Sequence, residues 1–262
     1  MCAAIRDRNA VPAVTAVVRG VPRAGLDDSD LARFLARAGI PKVSARDLPW
    51  AMARGSDGAT TVAASLCICA QAGLPVFATG GIGGVHRATP GAPVDESADL
   101  LELSRSSVVT VCAGAKSILD LPATVERLET LGVTVIGYRT DEFPGFFTTH
   151  TGLAVGAVAN SAAEIATAFR AGRALGRPGA VLVVQPPPAA AALNTRLVDQ
   201  AVATALAAAS AAGISGARLT PFLLAEVERA TGGRSLAANI ALLEANAALA
   251  AEIAVAFADS RL

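Results

Sequence analysis

The sequence predicts an α/β fold: a mostly parallel sheet covered on both faces, followed by a helical C-terminal layer. Three observations predict it. Short apolar runs alternate with helical repeats between Leu74 and Gln185, those runs have no polar face, and the last third of the chain is helical in period throughout. A parallel sheet flanked by helices buries both faces of its strands, which then read as continuous apolar runs.

Taken in order, VPAVTAVVRGV from Val11 to Val21 reads as a strand or hairpin turning near Gly20. Asp27 to Ala38 follows as a capped helix, and Ser44 caps a short one reaching Ala53. Thr60 to Ala72 is a helix stopped by Gly73. Strands are expected at Leu74–Thr79, Val108–Cys112, Val133–Tyr138 and Ala180–Gln185. Between them lie helices starting at Lys116 or Ser117, at Leu121–Leu131 and at Ala162–Leu175. Asn194–Ala212, Phe222–Thr231 and Ser235–Phe257 form the helical end. No repeat, charged tail or linker divides the chain, so residues 1–262 read as one domain.

Composition narrows the function. Acidic and basic residues balance at 22 each and aromatics make up 4%. Neither a broad basic field nor a base-stacking platform for nucleic acid is expected. Cys2, Cys67, Cys69 and Cys112 lack paired metal-ligand spacing and read as reduced thiols. The charged N-terminus is unlike a signal peptide, and Ala201–Ala212 is too short and weakly apolar to span a bilayer. A soluble, cytoplasmic protein is expected.

Only two of the 22 basic residues are lysines, Lys42 and Lys116, in a chain whose Ala and Arg content suggests GC-rich coding. Arginine stays protonated, whereas a partly desolvated lysine can become a free amine and attack a carbonyl. Lys116, just beyond VVTVC, therefore reads either as a nucleophile or as a surface lysine opening a helix. Gly80-Gly81-Ile82-Gly83-Gly84-Val85-His86-Arg87 follows a strand and could turn its amides toward an anion or a sugar, or form a ligand-free turn. In DESAD, an extended chain would point Asp95, Ser97 and Asp99 the same way, suiting a hard cation, sugar hydroxyls or solvent. Thr140-Asp141-Glu142 follows the third strand, placing it with the glycine loop and Lys116 at the carboxyl edge of the sheet, where ligands collect. His150 reads as a surface residue.

Read in order, TGGIGGVHR, SADL, VCAGAKSILDLP, GYRTDEFPGFF, TPFLL and TGGRSLAANIAL resemble the pseudouridine-5'-phosphate glycosidase family, from about Ala4 to the C-terminus. The resemblance implies a three-layer α/β/α sandwich with a mostly parallel, mixed central sheet, assembled as a homotrimer. It also implies reversible cleavage of the carbon–carbon glycosidic bond of pseudouridine 5'-phosphate to uracil and ribose 5-phosphate. Motif matching gives Lys116 the role of Schiff-base nucleophile, Asp95 that of ligand to a manganese ion, and Lys42, Val62, Ser97, Ala98, Asp99, His86 and Asn239 those of substrate contacts. There are departures. The family pattern opens with a segment like ALESTIISHGMPYPxN, whose glutamate donates a proton to the base. This sequence starts after it, and none of Asp7, Asp27 or Asp28 lies in a comparable motif. The expectation is a chain shortened at its N-terminus, with the proton donor missing. Thr149 stands where the family has arginine, and Pro187-Pro188-Ala189-Ala190 replaces a PIPEE-like segment. Two rival readings follow: a sugar-phosphate binding or scaffold protein with impaired catalysis, and a lysine-imine enzyme of aldolase type.

Overall fold

A computed structural model describes residues 1–37, 39–87, 95–214 and 216–259. After α1 (Cys2–Arg6), β1 (Thr15–Val18) and β2 (Val21–Ala24) form an antiparallel hairpin. Its turn residues Arg19 and Gly20 have φ of 49° and 77°, the left-handed pair that matches the twist of a tight hairpin. The strand expected from Val11 thus starts only at Thr15, since Pro12 has no N–H to give a ladder. α2 (Asp28–Ala36) begins at Asp27, whose carboxylate accepts from the Asp30 amide at 2.7 Å. Its expected end, Ala38, lies outside the described residues.

β3 (Lys42–Val43) leads through a 3₁₀ turn, Ala45–Asp47, into α3 (Leu48–Ala53), and Ser44 with Asp47 makes a reciprocal capping box there. β4 (Ala59–Thr60) pairs in parallel with β3, so Thr60 is a strand residue, and Thr61 caps α4 (Val62–Gln71). These two-residue strands are too short to show a period in the sequence.

The main sheet takes β5 (Val76–Ala78), β6 (Val109–Cys112), β7 (Thr134–Tyr138), β8 (Val158–Ala159) and β9 (Val181–Val184). Their spatial order is β5-β6-β9-β7-β8. Every pairing among them is parallel, so the mixed character expected of the sheet is absent among the described residues. α5 (Ala98–Leu103), α6 (Leu121–Thr130) and α7 (Ala162–Ala174) intervene along the chain, and α8 (Thr195–Ala211), α9 (Leu219–Ala230) and α10 (Arg234–Asp259) complete it. α9 starts earlier than expected because Pro221 falls in its first turn, where the missing N–H costs nothing.

Alternation along β6 and β9 makes the layers. Val109, Val111, Val181 and Val183 face one way and bury Ile165 and Phe169 of α7 with Leu249, Ile253 and Phe257 of α10. Cys112, Leu182 and Val184 face the other way, toward Leu66 of α4, Leu100 and Leu103 of α5, Leu128 of α6 and Val202 of α8. This is the three-layer α/β/α arrangement. A smaller core under the hairpin joins Val17, Val43, Leu48 and Ile68.

By length and composition α10 could cross a membrane, yet it packs along β5, β6 and α7 and carries the wholly buried Asn246. The Asn246 amide donates to the carbonyls of Thr79 (2.8 Å) and Gly80 (3.3 Å), and its oxygen accepts from Gln185 Nε2 at 2.9 Å. One side chain therefore ties the helical layer to the carboxyl ends of β5 and β9. Asn246→Leu keeps the volume but strands those partners in the core, and is expected to cost about 2–3 kcal/mol in denaturant unfolding.

Candidate active site

Beyond the ends of β5 and β6 the two chains keep running side by side. Ala113 N donates to Gly80 O (2.9 Å), Ile82 N to Gly114 O (3.0 Å), Lys116 N to Ile82 O (3.2 Å) and Asp120 N to Val85 O (2.9 Å). Residues 116 to 120 thus spend on the glycine loop the backbone groups that a helix would keep for itself. The helix expected from Lys116 or Ser117 is instead a turn closed by Leu119 N on Lys116 O at 3.0 Å, and α6 begins behind Asp120.

At Gly81 and Gly83 the missing side chain serves close approach. A Cβ on Gly81 would stand 2.6 Å from the Phe146 ring, and one on Gly83 would stand 2.1 Å from Ser97 Oγ and 2.9 Å from Asp99 Oδ2. The Gly83 amide is committed to Asp99 Oδ2 at 2.8 Å, and Asp99 Oδ1 accepts from the Ala63 amide at 2.9 Å. Asp99 is 5% exposed and joins the glycine loop, the start of α4 and the first turn of α5. DESAD is accordingly extended only in its first half, where His86 N donates to Asp95 O (2.9 Å) and Ser97 N to Gly84 O (3.0 Å), before the chain turns into α5. Ser97 caps α5 and Asp99 lies inside the helix, while the Asp95 side chain is 60% exposed and stands apart.

Lys116 is partly buried, and its ammonium donates to Gly81 O at 3.3 Å. Burial pushes it below the ordinary lysine range; the Asp99 carboxylate opposes that shift, and the charge of Lys42 adds to it. Cys112 behind it stays a neutral thiol, pushed up to about 12 by burial.

Lys116 and Val62 separate two hollows. One, of about 270 Å³, is lined by Lys42, Val62, His86, Ser97, Ala98, Asp99 and Thr220, among others. The Val62 and Ala98 amides, at the first positions of α4 and α5, have no acceptor among the described residues and line the same hollow as Lys42, making this lobe receptive to an anion. The other hollow, of about 300 Å³, is lined by Thr79, Gly81, Phe146, Leu224, Glu228 and Asn239, among others. Phe146, which sequence reasoning passed over, holds φ at 67°, a strained value for a large side chain, and lays its ring on Gly81. A flat apolar wall with a carboxamide beside it suits a planar heterocycle.

The structure brings together Lys42, Val62, Ser97, Ala98, Asp99, His86 and Lys116, with Asn239 across the second lobe. Asp95 is outside both linings. Its Oδ2 is 3.9 Å from His86 Nε2, and no three His, Cys, Asp or Glu side chains cluster as a metal cage among the described residues. One accessible carboxylate fits a hard divalent cation that keeps most of its water and takes substrate phosphate as a further ligand; it does not fit an all-protein cage. The acidic turn is also at the carboxyl edge, but Glu142 is committed elsewhere. It accepts from the Thr151 and Gly152 amides at 2.8 and 2.9 Å, and these with His150 hold its carboxyl below the usual range. His150 is 83% exposed in its side chain, and all four cysteines are free.

Fold and cleft define an α/β protein whose parallel sheet presents a desolvated amine between an anion-receptive lobe and a flat apolar one. Residues 1–256 match the family described as Indigoidine synthase A like protein. A pseudouridine-5'-phosphate glycosidase of Gemmatimonas aurantiaca is 62% identical over 259 residues, covering 99% of this chain and 84% of that one. Another, of Herpetosiphon aurantiacus, is 49% identical over 258 residues, covering 98% and 85%. The solved structure of the prealnumycin C-glycosynthase AlnA in complex with ribulose 5-phosphate superposes with a TM-score of 0.93 at 39% identity, covering 99% of this chain and 85% of that one. An indigoidine synthase A-like protein of Thermotoga maritima gives 0.87 at 34% identity, covering 97% and 83%. The chain belongs to the indigoidine synthase A-like family, and within it to the pseudouridine-5'-phosphate glycosidases.

Asp99→Asn tests the clamp. A carboxamide can accept from only one of the Ala63 and Gly83 amides and turns its NH₂ against the other. The expected outcome is a loss of about 1.5–3 kcal/mol in unfolding free energy, together with at least a tenfold fall in kcat/KM on the family substrate.

Proposed function

We propose that this protein reversibly cleaves the carbon–carbon glycosidic bond of pseudouridine 5'-phosphate, giving uracil and ribose 5-phosphate, with Lys116 as nucleophile. The observation that carries the reading is the position of Lys116: an amine with a lowered pKa, between a lobe suited to phosphate and a lobe suited to a planar base. The named activity of the close relatives supports it, as does the five-carbon sugar phosphate bound to AlnA.

Lys42, the Val62 and Ala98 amides and Ser97 hold the phosphate. The uracil lies against Phe146 with Asn239 at its edge. Neutral Lys116 Nζ attacks the anomeric carbon, and the ring oxygen leaves with a proton, opening the ribose. A proton delivered to uracil C5 then lets the nitrogen lone pair form a C=N bond as the C1'–C5 bond breaks, with those electrons closing the C5=C6 bond of uracil. Water hydrolyses the imine and frees both ribose 5-phosphate and Lys116. Asp95 lies at the rim, 3.9 Å from His86 Nε2, and would hold the manganese ion there. That ion, when bound, neutralises phosphate charge and fixes its orientation.

The same reading takes residues 1–262 as one domain, in keeping with the unbroken family match over 1–256. It places the protein in the cytoplasm, supported by its free thiols, and in a homotrimer, supported by the exposed apolar Trp50, Met52, Leu236 and Ile240.

Uracil release from pseudouridine 5'-phosphate is expected for the unaltered chain and absent in Lys116→Ala and Lys116→Arg, since a guanidinium cannot lose its proton. Because the Lys116 pKa is lowered, its free-amine fraction increases with pH across a range below that of an ordinary lysine. Initial rates of adduct formation with ribose 5-phosphate should therefore climb with pH and level off before the usual lysine range. Sugar-phosphate binding without adduct or uracil release would favour the scaffold reading, and an adduct with carbon–carbon cleavage of a ketose phosphate but no uracil release would favour the aldolase reading.

A further inference from the structure

One face of α9 spans the whole cleft. Thr220 lines the lobe containing Lys42, while Leu224 and Glu228 line the lobe containing Phe146 and Asn239. Residues four apart on a helix share a face, and eight residues of rise separate Thr220 from Glu228 by about 12 Å along the axis. α9 thus runs from the phosphate end to the base end of the cleft.

Glu228 is the only carboxylate lining the base lobe among the described residues. Its backbone carbonyl is fixed by Gly233 N at 3.0 Å and Thr231 Oγ1 at 3.1 Å, so its position is set. Its carboxylate makes no hydrogen bond or ion pair within the described chain, whereas its neighbours Glu226 and Arg229 pair with each other. It also stands in the last turn of α9, where the helix dipole disfavours an anion. Glu228 is exposed at the edge of the lobe, so its carboxylate is solvated there and no contact within the described chain keeps it from a ligand in the lobe.

We infer that Glu228 is a base-recognition residue whose carboxylate accepts a hydrogen bond from a ring N–H of uracil. The inference rests on the function proposed above. A uracil joined to ribose through C5 keeps hydrogen on both N1 and N3, and those groups lie on the edge away from the sugar. They are donors that an anionic acceptor fits. At N3 a cytosine ring offers an acceptor instead, which a carboxylate repels, so a Glu228 bond to N3–H selects for the imide base, whereas a bond to N1–H, which cytosine also carries, does not. Asn239, with both donor and acceptor atoms, serves a ring carbonyl on the same wall.

The test is synthesis from uracil and ribose 5-phosphate by the intact protein, with borohydride trapping of the ribose 5-phosphate adduct in parallel. Glu228→Leu removes the acceptor and is expected to raise KM for uracil about tenfold, the loss of one charge-assisted hydrogen bond. Glu228→Gln keeps an oxygen and should show a smaller rise. KM for ribose 5-phosphate and the adduct yield should stay unchanged in both, which also shows that the variants are folded. Uracil KM values within twofold of the unaltered chain in both variants would overturn the inference while leaving the adduct chemistry standing. Failure of the unaltered chain to form an adduct or turn over uracil would overturn the proposed function, and this inference with it.

Discussion

The cleft depends on keeping one amine short of water without burying it altogether. A lysine in water is charged and inert as a nucleophile, while a lysine sealed in a core has no route to a substrate. Lys116 is held between those limits because the chain past β6 stays paired with the chain past β5 instead of coiling at once into a helix. That pairing needs two backbones to approach within hydrogen-bond distance while Phe146, Ser97 and Asp99 crowd in from the sides. Only glycine at positions 81 and 83 leaves room. The lowered pKa of Lys116 is thus a consequence of strand geometry.

The opposing term is Asp99, the nearby carboxylate that favours the charged amine. Both its oxygens are engaged by backbone amides, so part of its charge is spent on those donors and it cannot fold down onto Lys116 as a free counter-ion. Desolvation therefore wins. The same carboxylate fixes the starts of α4 and α5, which place Val62 and Ala98 in the lining of the hollow that Lys42 also lines. In the proposed reaction, anion binding and amine activation rest on one clamp. Behind it, Asn246 fixes the strand ends from the other layer, so the reactive loop is held on both sides of the sheet.

The parallel sheet, the helical end and the placement of Lys116 beside the glycine loop were legible in the sequence because each has a local mark: apolar runs without a polar face, a 3.6-residue period, and a lysine just past the second apolar run. Misread features depended on partners distant in the chain. Lys116 to Asp120 carries helix-compatible residues, and only the remote carbonyls of Ile82 and Val85 draw the Lys116 and Asp120 amides away. DESAD alternates as a strand would, yet Ser97 is a cap and Asp99 answers to Ala63 and Gly83. Four glycines suggested amides turned to an anion or a sugar, or a ligand-free turn, but Gly81 and Gly83 are required by the Phe146 ring and the Ser97 side chain and Gly84 by Thr124, which sequence spacing does not reveal. Asn246, in an Ala-rich helix, gave no mark beyond being a polar residue in an apolar stretch. The strained backbone of Phe146 gave none.

A chain with only two lysines permits a direct measurement of the central quantity. Reductive methylation with ¹³C-formaldehyde labels Lys42 and Lys116 as well as the N-terminal amine, and Lys116→Arg identifies the site's signal. Titrating the labelled groups by NMR should give Lys116 a pKa below the ordinary lysine value of about 10.4. A Lys116 signal titrating at or above that value would contradict the account, because the amine would then be a solvated or ion-paired ammonium and not a nucleophile made by burial.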